Sequence, residues 1–235
     1  MTAFEEFALP AALSASSGAE APADRAATEE ALEQALRCLS ADSLLAHPTS
    51  SVFGLGGSVS LEVEAEVSRL KGYTVRRPYI RLVYSARQIS TAFPSVVWND
   101  TAERLADRFW PGPVTLVLDD GTAEGVALRA EGNRFMQLLL EAWGRGVLSS
   151  SLNRRGEPVS ATRDAAAAAL AALSPSDLPV TFVSEPRLPG PPASSIVSVR
   201  DGRVRVLRVG AVSVEEIGTC LSLDPRGLGA AGPAK

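Results

Sequence analysis

The sequence predicts an α/β domain built on a twisted, mostly mixed sheet flanked by helices. Three observations predict it. Strand-like apolar runs such as SLLAH, YIRLVYS, VTLVL and SIVSV alternate along the chain with segments of helical periodicity. The chain has 235 residues, enough for one sizeable core. Residues 24–220 form one continuous patterned region with neither a repeat nor a linker long enough to split it.

Residues 1–23, which end in SASSGAEAPA, are rich in Ala, Ser, Gly and Pro and read as an arm without packed structure. ADRAATEEALEQALRCLSA is the first helix. Leu32, Ala35, Leu36 and Leu39 share one face, Asp24 is placed to cap its start, and Glu33 and Arg37 stand at the favourable i, i+4 spacing. SLLAH follows as a short buried strand. SVSLEVEAEVSRLK fits both periods, because Val59, Leu61, Val63, Ala65 and Val67 alternate while Val59, Val63, Val67 and Leu70 form a helical stripe. Its Glu and Ala content favours the helix.

YIRLVYS is a strand. NDTAERLADRFW is a helix with Asp100 and Glu103 at capping-box spacing, stopped by Pro111. VTLVL and GVALRA follow as strands, NRFMQLLLEAW as a helix closed by Gly144, and GVLSSS as a further strand. TRDAAAAALAAL is a helix starting near Thr162. VTFV, SIVSV and RVRVLR are late strands, and SVEEIGTCL is the last helix. Residues 221–235, with DPRGLGAAGPAK, read as a flexible tail.

The formal charge of −4 argues against a broad non-specific nucleic-acid binder and leaves room for a local basic patch. Cys38 and Cys220 are far apart and form no CxxC, which suggests a reducing compartment and no disulfide framework. His47 is the sole histidine, so a His-rich metal site is excluded and a Ser–His–Asp triad would have to use it. No apolar run has membrane-spanning length, and MTAFEEFALPAAL lacks the basic start of a signal peptide; a cytoplasmic protein is the expectation.

Five polar clusters stand at strand ends or in adjoining loops, where α/β folds place ligands. In AHPTSSVFGLGG, the hydroxyls of Thr49, Ser50 and Ser51 either close a turn on their own backbone or floor a pocket. RLKGYTVRRP carries Lys71, Arg76 and Arg77, either a solvated basic loop or an anion site. FWPGPVTLVL places Thr115 after a stiff turn, with Trp110 as core or cleft wall. In GVLSSSLNRRGEPVSAT, Ser149, Ser150 and Ser151 interrupt a core strand and Asn153 follows. In GPPASSIVSV, Ser194 and Ser195 precede a strand, and Arg208 ends the next one. There is neither a P-loop nor a GxGxxG. An inventory of many hydroxyls and cations with few bases suits a site that binds a polyanion and aligns reactants.

Taken in order, these clusters resemble the YrdC-like family of threonylcarbamoyl-AMP synthases. PTSSVFGLGG resembles its PTET-V-Y-G-L-G segment, LKGYTVRRPYIRLV its K-G-R…P-L-I, and FWPGPVTLVL its W-P-G-P-x-T. VALRA resembles V-x-V-R, SSSLNRRGEPVSAT resembles S-x-S-A-N-x-S-G-x-P, SSIVSV resembles S-T-V-V-D, and VLRVGAV resembles I-L-R-x-G. The resemblance spans residues 27–218. It implies a single YrdC-like domain that combines L-threonine, bicarbonate and ATP into threonylcarbamoyl-AMP, with Mg²⁺ on the phosphates, and releases pyrophosphate. The product would feed the t6A modification of tRNA through a downstream threonylcarbamoyl transferase.

By position, the resemblance implies that Ser51 and Ser194 contact threonine and that Lys71 is catalytic, facing phosphates or carbamate. It implies that Thr115, Ser151, Asn153 and Arg208 hold the nucleotide and that Arg129 binds an anionic group. The sequence departs from the family segments at Ser50 for Glu, Tyr73 for Arg, Leu152 for Ala and Ser198 for Asp. Arg77, or Arg76, is the candidate to replace the charge lost at Tyr73. Retained Lys71, Asn153 and Arg208 favour a synthase. Tyr73 and Leu152 favour the alternative, a non-catalytic relative that binds a nucleotide or RNA.

Overall fold

The computed structural model describes residues 3–11, 21–74, 78–173 and 175–229. Among them a ten-stranded mixed sheet is flanked by helices. The strands are β1 (Glu5–Ala8), β2 (Leu44–His47), β3 (Gly54–Ser58), β4 (Ile80–Val83), β5 (Val114–Leu118), β6 (Val126–Ala130), β7 (Val147–Ser151), β8 (Val180–Ser184), β9 (Ser195–Arg200) and β10 (Arg203–Arg208). The helices are α1 (Pro22–Ser40), α2 (Leu61–Leu70), α3 (Ile89–Ala92), α4 (Asp100–Phe109), α5 (Arg134–Trp143), α6 (Arg163–Ala172) and α7 (Val214–Leu221). The spatial order is β1-β8-β2-β3-β7-β4-β6-β5-β9-β10. β1–β8, β8–β2, β4–β6 and β5–β9 are parallel and the remaining neighbours antiparallel.

Period-2 alternation sorts the strand residues between layers. Leu45, Leu82, Val147 and Val183 pack beneath α1 and α5, with Ala35, Leu39, Phe135 and Leu139. On the opposite face Leu44, Ala46, Leu55, Leu148 and Phe182 meet α2 and α6 through Val63, Val67, Ala166 and Leu170. Leu116, Leu128 and Val197 from the other half of the sheet pack with Leu105 of α4 and Ile217 of α7. The ambiguous segment is therefore helical, as its Glu and Ala content favours, and Ser60 caps it by accepting the Val63 N–H.

The structure corrects the reading of both ends. Glu5–Ala8 is an edge strand rather than part of an unpacked arm. It is held because Leu9 is buried, Phe4 meets Phe182 edge-on at 5.7 Å, and Glu6 accepts hydrogen bonds from Arg163 and Ser184. In the expected tail, Pro225–Leu228 forms a 3-10 turn whose Leu228 inserts into the core beside α7. Two caps also shift. Asp24 lies inside the first turn of α1, whose N-cap is Ala21. In α4 the cap is Asn99, which accepts the Ala102 N–H, while Glu103 is bonded by the Trp98 indole.

GLGGS, despite its three glycines, is the interior strand β3. A Cβ on Gly56 would lie 1.7 Å from the Leu148 carbonyl oxygen, so the glycine permits β3 to approach β7. Trp110 is a wall of the core: its indole N–H donates to the Val114 carbonyl at 2.7 Å and its ring lies against Trp98. Among the described residues no helix is long and apolar enough to cross a membrane.

Candidate functional site

A cavity of about 310 Å³, in the range of small-molecule sites, opens where the β2–β3 connection, the end of β7, the start of β9 and the α2–β4 connection converge. Ser51, Ser151, Ser194, Arg129 and Arg208 all line it. Strand register explains part of this convergence. Thr115 pairs with Ile196, which also opposes Arg208, and Arg129 alternates with Leu128 opposite Leu116. Arg129, Ile196 and Arg208 therefore stand on one face of the sheet. A bulge between Val206 and Arg208 turns Arg208 onto that face.

The turn after β2 performs both roles that the sequence left open. Thr49 Oγ1 donates to the Val52 carbonyl at 2.6 Å and accepts the Ser51 and Val52 N–H groups at 3.2 Å each, so its hydroxyl is spent on the turn. That turn presents Ser51 to the cavity. His47 behind it is fully buried, with Nδ1 3.0 Å from the Pro48 carbonyl. Nδ1 must therefore carry the proton, and burial lowers the imidazole pKa to about 4.

Arg129 is buried and ion-paired through Nη2 with Glu131, which is wholly buried. Glu131 Oε1 also accepts the N–H groups of Ser50 at 2.7 Å, Gly132 at 2.8 Å and Asn133 at 3.1 Å. Burial alone would raise this carboxyl; the Arg129 guanidinium and the bonds from Ser50 and Asn133 overcome it and hold the pKa below the ordinary value. Arg208 stands at the cavity rim, open to solvent along part of its length. Desolvation of its guanidinium, and then the like charge of Arg129, lower its pKa from the ordinary value. Two arginines facing one cavity are a favourable place for an anion.

Three sequence-derived site residues are not among those that line the cavity. Lys71, the residue after α2, is buried. Its Nζ donates to the Ser151 carbonyl at 2.6 Å, the Asn153 carbonyl at 2.9 Å and Asn153 Oδ1 at 3.2 Å. Asn153 Oδ1 also accepts from Ser151 Oγ at 2.7 Å, and its Nδ2 donates to the Glu157 carbonyl at 2.6 Å. Thr115 is fully buried and shares a 2.9 Å hydrogen bond with Ser194 Oγ. Lys71, Asn153 and Thr115 thus brace the residues that face the cavity. Arg77 and Arg76 lie outside the described residues.

Leu152, at the position where the family segment has Ala, does not line the cavity. It is fully buried in the α2–α6 core with Phe53, Leu148 and Leu170. Its apolar side chain follows the strand alternation inward while Ser151 turns outward. Tyr73 does line the cavity. Sequence reasoning missed Tyr79 and Ile80 as lining residues, and it missed Glu131 entirely. The available signal for Glu131 was an acidic residue two positions beyond Arg129 at a strand end.

Among the described residues no group of three or more His, Cys, Asp or Glu could hold a metal ion. The described residues offer no such cluster for a protein-ligated Mg²⁺, and no chemical step below is routed through one.

Comparison with known proteins adds to this geometry. Residues 37–210 match the Sua5/YciO/YrdC family, described under the heading of telomere recombination. A threonylcarbamoyl-AMP synthase of Chromohalobacter salexigens is 33% identical over 142 residues, covering 56% of this chain and 75% of that protein. One of Stenotrophomonas maltophilia is 30% identical over 146 residues, covering 58% and 78%. Among solved structures, P. abyssi Sua5 complexed with L-threonine superposes with a TM-score of 0.73 at 22% identity, over 94% of this chain and 61% of that one. E. coli YciO superposes with a TM-score of 0.71 at 17% identity, over 92% of this chain and all of that one. The chain spans about three-fifths of the Sua5 structures it matches, at 60% and 61% of their lengths. The mixed sheet, its helical layers and a match across most of the chain agree: this protein belongs to the Sua5/YciO/YrdC family.

Proposed function

We propose that the protein is a threonylcarbamoyl-AMP synthase, using L-threonine, bicarbonate and ATP. The observation that carries this reading is the meeting of three hydroxyls, Ser51, Ser151 and Ser194, with Arg129 and Arg208 in one cavity. The curated relatives carrying that name support it. The threonine amine would add to bicarbonate with loss of water to give a carbamate. A carbamate oxygen would attack the α-phosphorus of ATP, and pyrophosphate would leave. A carboxylate, a carbamate and a triphosphate brought together repel one another, so the chain's contribution is positioning and charge compensation.

In this reading Ser51 and Ser194 donate to the threonine carboxylate, and Arg129 and Arg208 face the anionic groups of the reactants. Lys71, Asn153 and Thr115 keep the hydroxyls in register. Mg²⁺ enters as part of the MgATP substrate, on phosphate oxygens. The product would pass to a threonylcarbamoyl transferase acting on tRNA.

One observation favours a second reading, a nucleotide- or RNA-binding relative without catalysis. Tyr73 faces the cavity at the position where the family segment has Arg. A phenol cannot copy the fixed donor fork of a guanidinium. The test is pyrophosphate release from MgATP with and without threonine and bicarbonate, on wild type and on Tyr73→Arg. Threonine-dependent release from either protein supports the synthase. Its absence from both, at high enzyme concentration, leaves the binder.

A further inference from the structure

Glu131 links two halves of the cavity that are 81 positions apart in sequence. Its Oε1 accepts the backbone N–H of Ser50 at 2.7 Å, in the turn that presents Ser51. Its Oε2 bonds Nη2 of Arg129, which lines the same cavity. The carboxylate takes two further backbone N–H groups, from Gly132 and Asn133, so its oxygens are committed within the protein and it touches no open part of the cavity. A wholly buried carboxylate with four donors fixes the geometry of everything bonded to it.

Position 50 itself lacks a carboxylate. The PTET segment that residues 48–51 resemble carries Glu where this chain has Ser50. Ser50 Cβ lies 3.8 Å from where a Cβ on Gly132 would stand, so a longer side chain at position 50 would reach the loop that Glu131 now organises. We propose that Glu131 is a positioning residue of this site. It supplies from the end of β6 the carboxylate that position 50 lacks, tying the turn at 48–52 to Arg129 so that Ser51 and Arg129 face the same anion. The inference rests on reading the cavity as the anion-binding site of a synthase.

The test compares wild type, Glu131→Gln, and Glu131→Gln combined with Ser50→Glu, in the full-length chain. The probe is inorganic pyrophosphate, its binding measured by calorimetry. Glu131→Gln makes the cavity more positive by one charge, so a residue that merely neutralised Arg129 would give equal or tighter binding on its removal. Positioning predicts the opposite sign, a loss of about tenfold, because misplacing a contact by a fraction of an ångström has effects of that size. Adding Ser50→Glu should bring binding back to within about threefold of wild type.

Threonine-dependent turnover is recorded in the same series, where the loss in kcat/KM should be carried mainly by KM. Unchanged or tighter pyrophosphate binding in Glu131→Gln overturns the inference, as does failure of Ser50→Glu to restore it or failure of wild type to bind pyrophosphate. If Glu131→Gln alone does not fold, the double variant decides. A folded double variant that binds supports the inference, and an unfolded or non-binding one overturns it. Pyrophosphate binding that follows this pattern without any threonine-dependent turnover in wild type would uphold the role of Glu131 and count against the synthase.

Discussion

Arg208 clamps Ser194. Its Nε and Nη2 donate to the Ser194 carbonyl at 3.0 and 2.8 Å, and Nη2 also reaches Ser194 Oγ at 3.2 Å. Ser194 in turn shares its hydroxyl with Thr115 on the neighbouring strand. The cavity is thus built from residues that hold one another, and several of its most chemically suggestive side chains are committed to that task.

Replacing Arg208 by Lys tests this clamp. An ammonium cannot serve a carbonyl, a hydroxyl and an anion with the geometry of a fork. ATP affinity should fall about tenfold, the scale of a lost charge-assisted contact, with little change in melting temperature because Arg208 stands at the rim. Calorimetry with ATP checks it. Equal affinity in Arg208→Lys would remove the fork from the site.

Lys71→Met should act on stability as well as on turnover. One of the two sequence readings of RLKGYTVRRP placed Lys71 in a solvated basic loop. The buried Nζ instead serves three oxygens of residues 151–153. Leaving those acceptors unpaired costs on the order of 2 kcal/mol, or a fall of ~4–8 °C in melting temperature for a domain of this size. An unchanged melting temperature with turnover lost would show that Lys71 acts on the substrates directly.

His47 predicts an acid-sensitive window. Burial lowers its pKa from 6.5 to about 4, opposed by the Pro48 carbonyl and the nearby Glu131. The unfolded chain therefore takes up the proton first as pH falls. Stability should be lost progressively below about pH 6.5 and down through about 4, by on the order of 3 kcal/mol in total. Denaturant titrations at several pH values should show that the part of this slope due to His47 disappears in His47→Phe. An identical slope in the variant would assign the acid sensitivity to the carboxylates.

Deleting residues 1–10 should destabilise the protein. The deletion removes strand β1, the buried Leu9 and the Glu6 contacts to Arg163 and Ser184. Exposing the surface that Leu9 covers is worth about 2 kcal/mol, so a fall of ~4–8 °C is expected by scanning calorimetry. An unchanged melting temperature would mean that the edge strand adds nothing to the sheet.

The sequence by itself determined the class of fold and most of its elements. The apolar runs VTLVL and SIVSV and the helical face of Leu32, Ala35, Leu36 and Leu39 are local patterns, and local sterics and burial decide them. The ordered series of short motifs also made the family legible. Ser51, Ser151, Ser194, Arg129 and Arg208, which stand in those motifs, line one cavity.

Tertiary structure alone decided how those residues are used. GLGGS has the composition of a turn, yet it is an interior strand because β7 offers a partner close enough to exclude a Cβ at Gly56. EEFA lies outside any periodic pattern and becomes a strand because β8 presents a free edge. Lys71 and Asn153 meet across 82 positions, and Ser50 and Glu131 across 81. Nothing local in either segment encodes those meetings. A buried charge goes where the assembled fold supplies its partners, and that supply exists only once the strands have been brought together.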